Sequence, residues 1–277
     1  ENKGVLGIVG CYGLSDQLIR LFENDKDIEN IFVVRNEDGV RFTEKVRELG
    51  IDLGLVLVEE SESAWAATWG LSILLWLNPM GLHDAVSKMH HSHEMALSVM
   101  SGHADSVLFC YGLCRLPEIR LAQMISGSPV PVTFLTDLDG EVVDDCFAAV
   151  IGGKRDYLEC IMGDKGTLLV TTGYAEGWRR RREKSDLCAL LDEIGGMKLM
   201  FEEYGYRHIL KLDDGCGDVE RFDDDVRAFS RVFDLEVKHR ACDLSVFEHS
   251  YEMAKEKMRR AIESMQGETG PVAWTIH

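Results

Sequence analysis

An α/β fold with a mainly parallel, Rossmann-like sheet flanked by helices is predicted by three features of the sequence. Short apolar runs alternate with helix-period segments along most of the chain. Glycine turns close several of the runs. The first sixty residues read β-α-β-α-β, the ordinary start of a parallel sheet.

The first run, Val5 to Val9, ends in Gly10-Cys11-Tyr12-Gly13, and Leu14, Leu18, Ile19, Leu21 and Phe22 then mark one helix face. Ile31 to Val34 is the second strand, Arg41 to Leu49 the next helix, and Gly54 to Val58 a third strand. Gly7, Gly10 and Gly13 miss the spacing of a dinucleotide loop, and no acidic residue closes the second strand. They read instead as glycines that permit a tight strand-to-helix turn.

Ala64 to Leu82 carries Trp65, Trp69 and Trp76 among Ile73, Leu74 and Leu75. Core packing is the default for such a stripe, with a cofactor pocket or partner interface as the alternative. A helix follows, in which Met89, Met95, Ala96, Val99 and Met100 form the apolar face. It carries His90, His91 and His93 with Glu94, after His83. Only His90 with His93 or Glu94 could share an ion, and a polar helix face accounts for the group.

Val107 to Cys110 is a short buried strand that stops at Tyr111-Gly112, with Cys114 placed where a helix through Leu116 to Ile125 would begin. Val132 to Leu135 is a strand, Asp137 to Gly140 a turn, and Asp144-Asp145-Cys146 opens a helix through Val150. A short helix around Tyr157, the strand Gly166 to Gly173 and a helix with Trp178 and Arg179 to Arg182 come next. Exposed helix positions are the usual place for such an arginine run. Helix Leu187 to Tyr204, strand Arg207 to Leu212, helix Asp223 to Phe233, strand Leu235 to Val237 and helix Asp243 to Met265 complete the reading. His208, at a strand start, reads as structural. The whole is taken as one α/β domain over residues 1–277, with a division into two lobes near Gly163 or Glu59 to Glu62 as the alternative.

The 277 residues are 45% hydrophobic and 28% charged, enough for a sizeable core and a solvated surface. A net charge of −18 argues against nucleic acid and anionic membrane as partners. No secretory signal is visible and no apolar stretch is clean enough to span a membrane, so a cytoplasmic location is expected. The eight cysteines show no disulfide framework. Cys110, Cys160 and Cys188 read as buried hydrophobes.

Cys11, Cys114 and Cys146 share one setting, a strand or turn behind and a helix ahead. Parallel α/β folds place their sites at such strand ends. Amide donors and the helix dipole there are expected to lower a thiol's pKa. Three thiolates could hold zinc, or an iron–sulfur cluster with one further ligand. On spacing alone, buried inert thiols outweigh metal ligation, since neither a Cys-x-x-Cys pair nor a ferredoxin run is present. No hydrolase elbow and no phosphate loop is found. Glu59, Glu60, Asp213 and Asp214 near strand ends are commonplace carboxylates.

Gly10-Cys11, Tyr111-Gly112-Leu113-Cys114, Asp144-Asp145-Cys146 before Gly152-Gly153, and Gly166 to Thr171 followed by Trp178 resemble domain-of-unknown-function family 1638. Phe201-Glu202 with Gly205-Tyr206, and Lys211-Leu212-Asp213, extend the resemblance over roughly Val5 to Met265. In that family the three cysteine positions recur together, which implies a shared site with Cys11, Cys114 and Cys146 as metal ligands. Tyr111, Gly112 and Asp145 are then candidates for contacts to the bound cofactor. One position departs from the family pattern, since Arg115 stands where a glycine is usual. The resemblance implies a metal- or iron–sulfur-binding accessory protein of anaerobic one-carbon and methyl-transfer metabolism, with a corrinoid protein or methyltransferase as partner. Two other expectations are a metal-free methyltransferase or lyase with a reactive Cys114, and a protein that docks a corrinoid protein through Trp65 to Trp76.

Overall fold

The computed structural model describes residues 3–60, 70–82 and 85–268 of the chain, without the side chains of 266–268. Trp65, Trp69 and His83 lie outside the described residues. Among the described residues nine strands form two all-parallel sheets, so the mainly parallel α/β reading holds.

The first sheet has six strands in the order β3-β2-β4-β1-β5-β6. They are β1 (Gly4–Cys11), β2 (Ile28–Val34), β3 (Leu55–Val58), β4 (Leu71–Asn78), β5 (Ser106–Cys110) and β6 (Val132–Phe134). The helices between them are α1 (Ser15–Asn24), α2 (Glu37–Glu48), α3 (Val86–Met100) and α4 (Glu118–Gly127). Central strands β1, β4 and β5 are buried along almost their whole length, which is why they read as unbroken apolar runs.

After β6 the short helices α5 (Cys146–Ile151) and α6 (Lys154–Gly163) lead to a second sheet, β7 (Thr167–Val170), β8 (His208–Asp213) and β9 (Glu236–Ala241), in that order. Around it stand α7 (Thr172–Lys184), α8 (Leu187–Tyr204) and α9 (Val219–Phe233). Trp178, Phe201, Phe229 and Phe233 pack with edge and tilted ring contacts in its core. The break between the sheets falls near Gly163.

The last helix, α10 (Ser245–Glu268), returns to the first sheet and packs on β1, β5 and β6. Buried Lys255 and Tyr251 on α10 both reach Asp25 Oδ2, at 2.9 Å each, just past the end of α1. This pairing satisfies a charge that would be costly to bury alone.

Several expectations are corrected. β4 emerges from the tryptophan stretch as a strand, and Trp76 is buried with its indole N–H donating to Asn78. Trp76 is therefore core, in keeping with the default expectation, and the alternative of a docking surface is not met there. On α3, Met95 is exposed and His93 takes a core position instead. Cys188 is exposed and Cys160 half-buried, whereas Cys216 and Cys110 are buried. Gly7, Gly10 and Gly13 keep ordinary backbone angles. Gly10 is needed for packing, since a Cβ there would lie 3.0 Å from Leu18. Among the arginines, Arg179 pairs with Asp225 and Arg180 with Glu176 at 2.9 Å, so only Arg181 and Arg182 are exposed.

Candidate functional site

Parallel strands deliver their carboxyl ends to one edge of the sheet, and β1 and β5 are hydrogen-bonded neighbours there. Cys11 is the last residue of β1 and precedes a single 3-10 turn, Tyr12–Leu14. Its sulfur lies beside the N–H of Gly13. Beyond β5 the chain forms the loop Tyr111–Pro117, and α4 begins only at Glu118, four residues after Cys114. Cys114 therefore sits in a turn and not at a helix N-terminus, a correction to the expected setting. Cys146 alone opens an α-helix, the six-residue α5.

Two loops are bound together to bring Cys114 and Cys146 close. Leu113 N–H donates to Val143 O at 2.8 Å and Cys114 N–H to Asp144 O at 2.7 Å. Leu135 N–H donates to Tyr111 O at 3.1 Å. The approach is so close that a Cβ on Gly112 would stand 2.3 Å from Val143 O, so glycine is required there on steric grounds. Cys114 and Arg115 both adopt left-handed backbone, with φ of 45° and 71°. Non-glycine residues reach that region at a cost, and such strain clusters at functional sites. The departure from family pattern is thus located at a position where glycine would relax the backbone.

The three thiols lie within each other's electrostatic reach. Burial pushes Cys11 up to about 11 and Cys114 up to about 12, and it pushes Cys146 well above the ordinary thiol range. The Cys114 charge adds to the rise at Cys146, and Cys11 contributes at both of the others. Backbone N–H groups oppose the rise, Gly13 at Cys11 and both Gly112 and Cys146 at Cys114, but desolvation wins. The expected lowering of thiol pKa at these turns is therefore overturned. All three are neutral thiols at pH 7 in the protein as it stands. Among the described residues, no group of three or more His, Cys, Asp or Glu side chains is arranged to hold one metal ion.

Asp145 is the N-cap of α5. Its carboxylate accepts from Ala148 N–H at 2.9 Å and from the Tyr157 hydroxyl at 3.1 Å. It thus positions Cys146, and its charge adds to the rise that burial causes at the thiols of Cys114 and Cys146. Tyr157, one turn into α6, is a positioning residue that no local sequence signal marks.

Tyr111 is buried beside the thiols, and burial pushes its phenol well above the ordinary range, with Cys11 and Cys114 adding to the rise. Asn78 stands opposite Cys11 in the β1–β4 register, with its side chain near the Tyr111 hydroxyl, yet neither the Asn78 amide nitrogen nor the hydroxyl completes a regular hydrogen bond. His93 is fully buried against Tyr111, with ring centroids 4.3 Å apart, and neither ring nitrogen has a partner. Burial pushes its pKa down to about 4, so the ring is neutral. His90 is paired with Glu94 at 3.5 Å. Cys110 points into the core, as expected.

Glu59 pairs with Arg35, Asp214 accepts from Gln17, and Asp213 pairs with the buried Lys211. His208 lies between Asp164 and Glu236 at the head of β8, a structural place. Among the described residues no helix is long and apolar enough to cross a membrane.

No curated protein and no solved structure matches the chain. A family model described as "Protein of unknown function (DUF1638)" matches residues 77–251, a shorter span than the resemblance in sequence suggested. Tyr111, Gly112, Cys114, Asp145 and Cys146 fall within it, while Cys11 precedes it. The chain belongs to the DUF1638 family.

Proposed function

We propose that the chain is a metal- or iron–sulfur-cluster-binding accessory protein that holds its group through Cys11, Cys114 and Cys146. The observation that carries this is that three thiols, from the end of β1, the turn beyond β5 and the start of α5, lie within electrostatic reach of one another, with backbone N–H groups directed at the sulfurs. N–H donors of this kind stabilise thiolate sulfur once a metal replaces the protons. The strained turn at Cys114 and the unpaired Tyr111 hydroxyl beside the thiols fit a site completed by a bound group.

One zinc draws its sulfurs to roughly 4 Å from each other, given metal–sulfur bonds of about 2.3 Å. Among the described residues no three ligands are gathered in that way. An iron–sulfur cluster is larger than a single ion and would accept wider sulfur–sulfur separations. Tyr111, Gly112 and Asp145 would border the group, with Asp145 and Tyr157 fixing the Cys146 helix.

The rival reading, a metal-free methyltransferase or lyase with a nucleophilic Cys114, calls for a thiolate at neutral pH. Burial works against it at all three cysteines. The anaerobic methyl-transfer setting, with a corrinoid protein or methyltransferase as partner, enters the proposal through family resemblance alone. Anaerobic purification followed by iron, zinc and sulfide analysis tests the site. Near-stoichiometric metal that is lost in Cys114→Ser supports it; sub-stoichiometric metal unaffected by that change contradicts it.

A further inference from the structure

Beyond the exit of β1, a polar cleft of about 400 Å³ opens between helices α1 and α2 of the first sheet and α7 and α9 of the second. Strands β1, β7 and β8 all run out toward it. The first turns of α1, α7 and α9 contribute Asp16, Thr172 and Arg221 to its wall. The carboxyl edges of parallel strands, followed by helix N-termini, are the usual place for a ligand in such folds.

The lining is unusual in being strongly and evenly mixed in charge, with five basic and six acidic side chains. Many are paired already: Lys45 with Asp16 and Glu176, each at 2.8 Å, and Arg180 with Glu176. What remains unfilled is specific. Thr172, more than nine-tenths buried at the start of the 13-residue helix α7, has a hydroxyl without a partner. Arg41 Nε is a buried donor without one. Asp16 Oδ1 is a buried acceptor without one, although Oδ2 is bound by Lys45. Glu44 and Glu48, one turn apart on α2, stand exposed at the rim without an ion-pair partner among the described residues.

The floor is rigid. A Cβ on Gly173 would lie 2.0 Å from Gly13 O, so the backbones of α7 and the β1 exit are in direct contact. Thr172 Oγ1 at the α7 N-terminus and Arg41 Nε on α2 are buried donors without a partner and suit an anionic group, while the unpartnered Asp16 Oδ1 and the exposed Glu44 and Glu48 suit a cation.

We infer that this cleft binds a small zwitterion, of the α-amino-acid class, with its carboxylate at Thr172 and the α7 N-terminus and its ammonium toward Asp16, Glu44 and Glu48. The site is separate from the thiols, and the inference does not depend on what they hold.

Isothermal titration of the full chain with L-alanine, propionate and ethylammonium tests it, because the last two carry one charge each. Alanine should bind saturably and about tenfold or more tighter than either, whether or not the protein carries metal. Thr172→Val should weaken alanine about tenfold. It should leave thermal stability unchanged or higher, since the lost hydroxyl has no partner in the free protein. The double change Glu44→Gln with Glu48→Gln should weaken alanine while sparing propionate. The inference is overturned by an absence of saturable alanine binding, by propionate or ethylammonium binding as tightly, or by wild-type affinity in Thr172→Val.

Discussion

Gly112→Ala would place a methyl carbon 2.3 Å from Val143 O and 2.8 Å from Asp145 N. Both obstacles are backbone, so no side-chain rotation relieves them. The loops must part by about 1 Å to restore ordinary contact. That separation falls on the Leu113–Val143 and Cys114–Asp144 hydrogen bonds, at 2.8 and 2.7 Å. Each contributes about 1 kcal/mol net and costs more when its groups stay buried and unpaired, so the change should destabilise by roughly 2–4 kcal/mol. For a chain of this size that lowers Tm by roughly 4–10 °C. It should also move Cys114 away from Cys146 and so reduce metal content further than destabilisation alone does. Thermal unfolding and metal analysis of the same preparation read both effects. A variant with wild-type Tm and full metal content would refute the claim that this loop contact builds the site.

Three other outcomes are expected. Arg115→Gly removes a side chain from φ 71°, and the relief of about 1 kcal/mol is partly cancelled by glycine's backbone entropy. Stability should rise by up to about 0.5 kcal/mol in denaturant titration, and a loss above about 1 kcal/mol contradicts the strain argument. In the metal-free protein at pH 7, a small alkylating reagent should modify exposed Cys188 first, with Cys11 and Cys114 far slower because burial holds them as thiols. Peptide mapping that finds Cys114 labelled fastest would restore the nucleophile reading. Lys255→Met leaves Asp25 largely buried without its ammonium partner, which should cost about 3 kcal/mol at pH 7. The Asp25 pKa is held below the ordinary carboxylate value, chiefly by Lys255, against a desolvation that acts the other way. The pair therefore contributes fully above the ordinary carboxylate pKa and fades as pH falls through the lowered folded value. The difference in Tm between wild type and variant should shrink only at that acidic end; a difference that stays constant there contradicts the pairing.

Much of the fold was legible because parallel α/β units state themselves in sequence. Apolar runs such as Val107 to Cys110 and helix periods such as Leu187 to Tyr204 need only local residues to be read. β4 was not legible in the same way, since a strand buried on both faces lacks alternation and Trp76, read together with Trp65 and Trp69, suggested a tryptophan stripe. His93 looked like a polar helix residue because nothing local reveals that α3 lays it on Tyr111. The meeting of three thiols at one sheet edge could be suspected from their shared strand-end setting. Their protonation state could not, because desolvation is a property of the packed site, and it reversed the effect expected from the turns alone. The charged cleft was hidden because its members lie far apart in the chain, and Tyr157 because its contact with Asp145 depends on how α6 folds back on α5.

The most direct test of the thiol site is the metal and sulfide content of anaerobically prepared protein, compared across Cys11→Ser, Cys114→Ser, Cys146→Ser and the exposed control Cys188→Ser. The account predicts that each of the first three lowers bound metal severalfold and that Cys188→Ser does not. Equal metal content in all four variants, or none in the wild type, would contradict it.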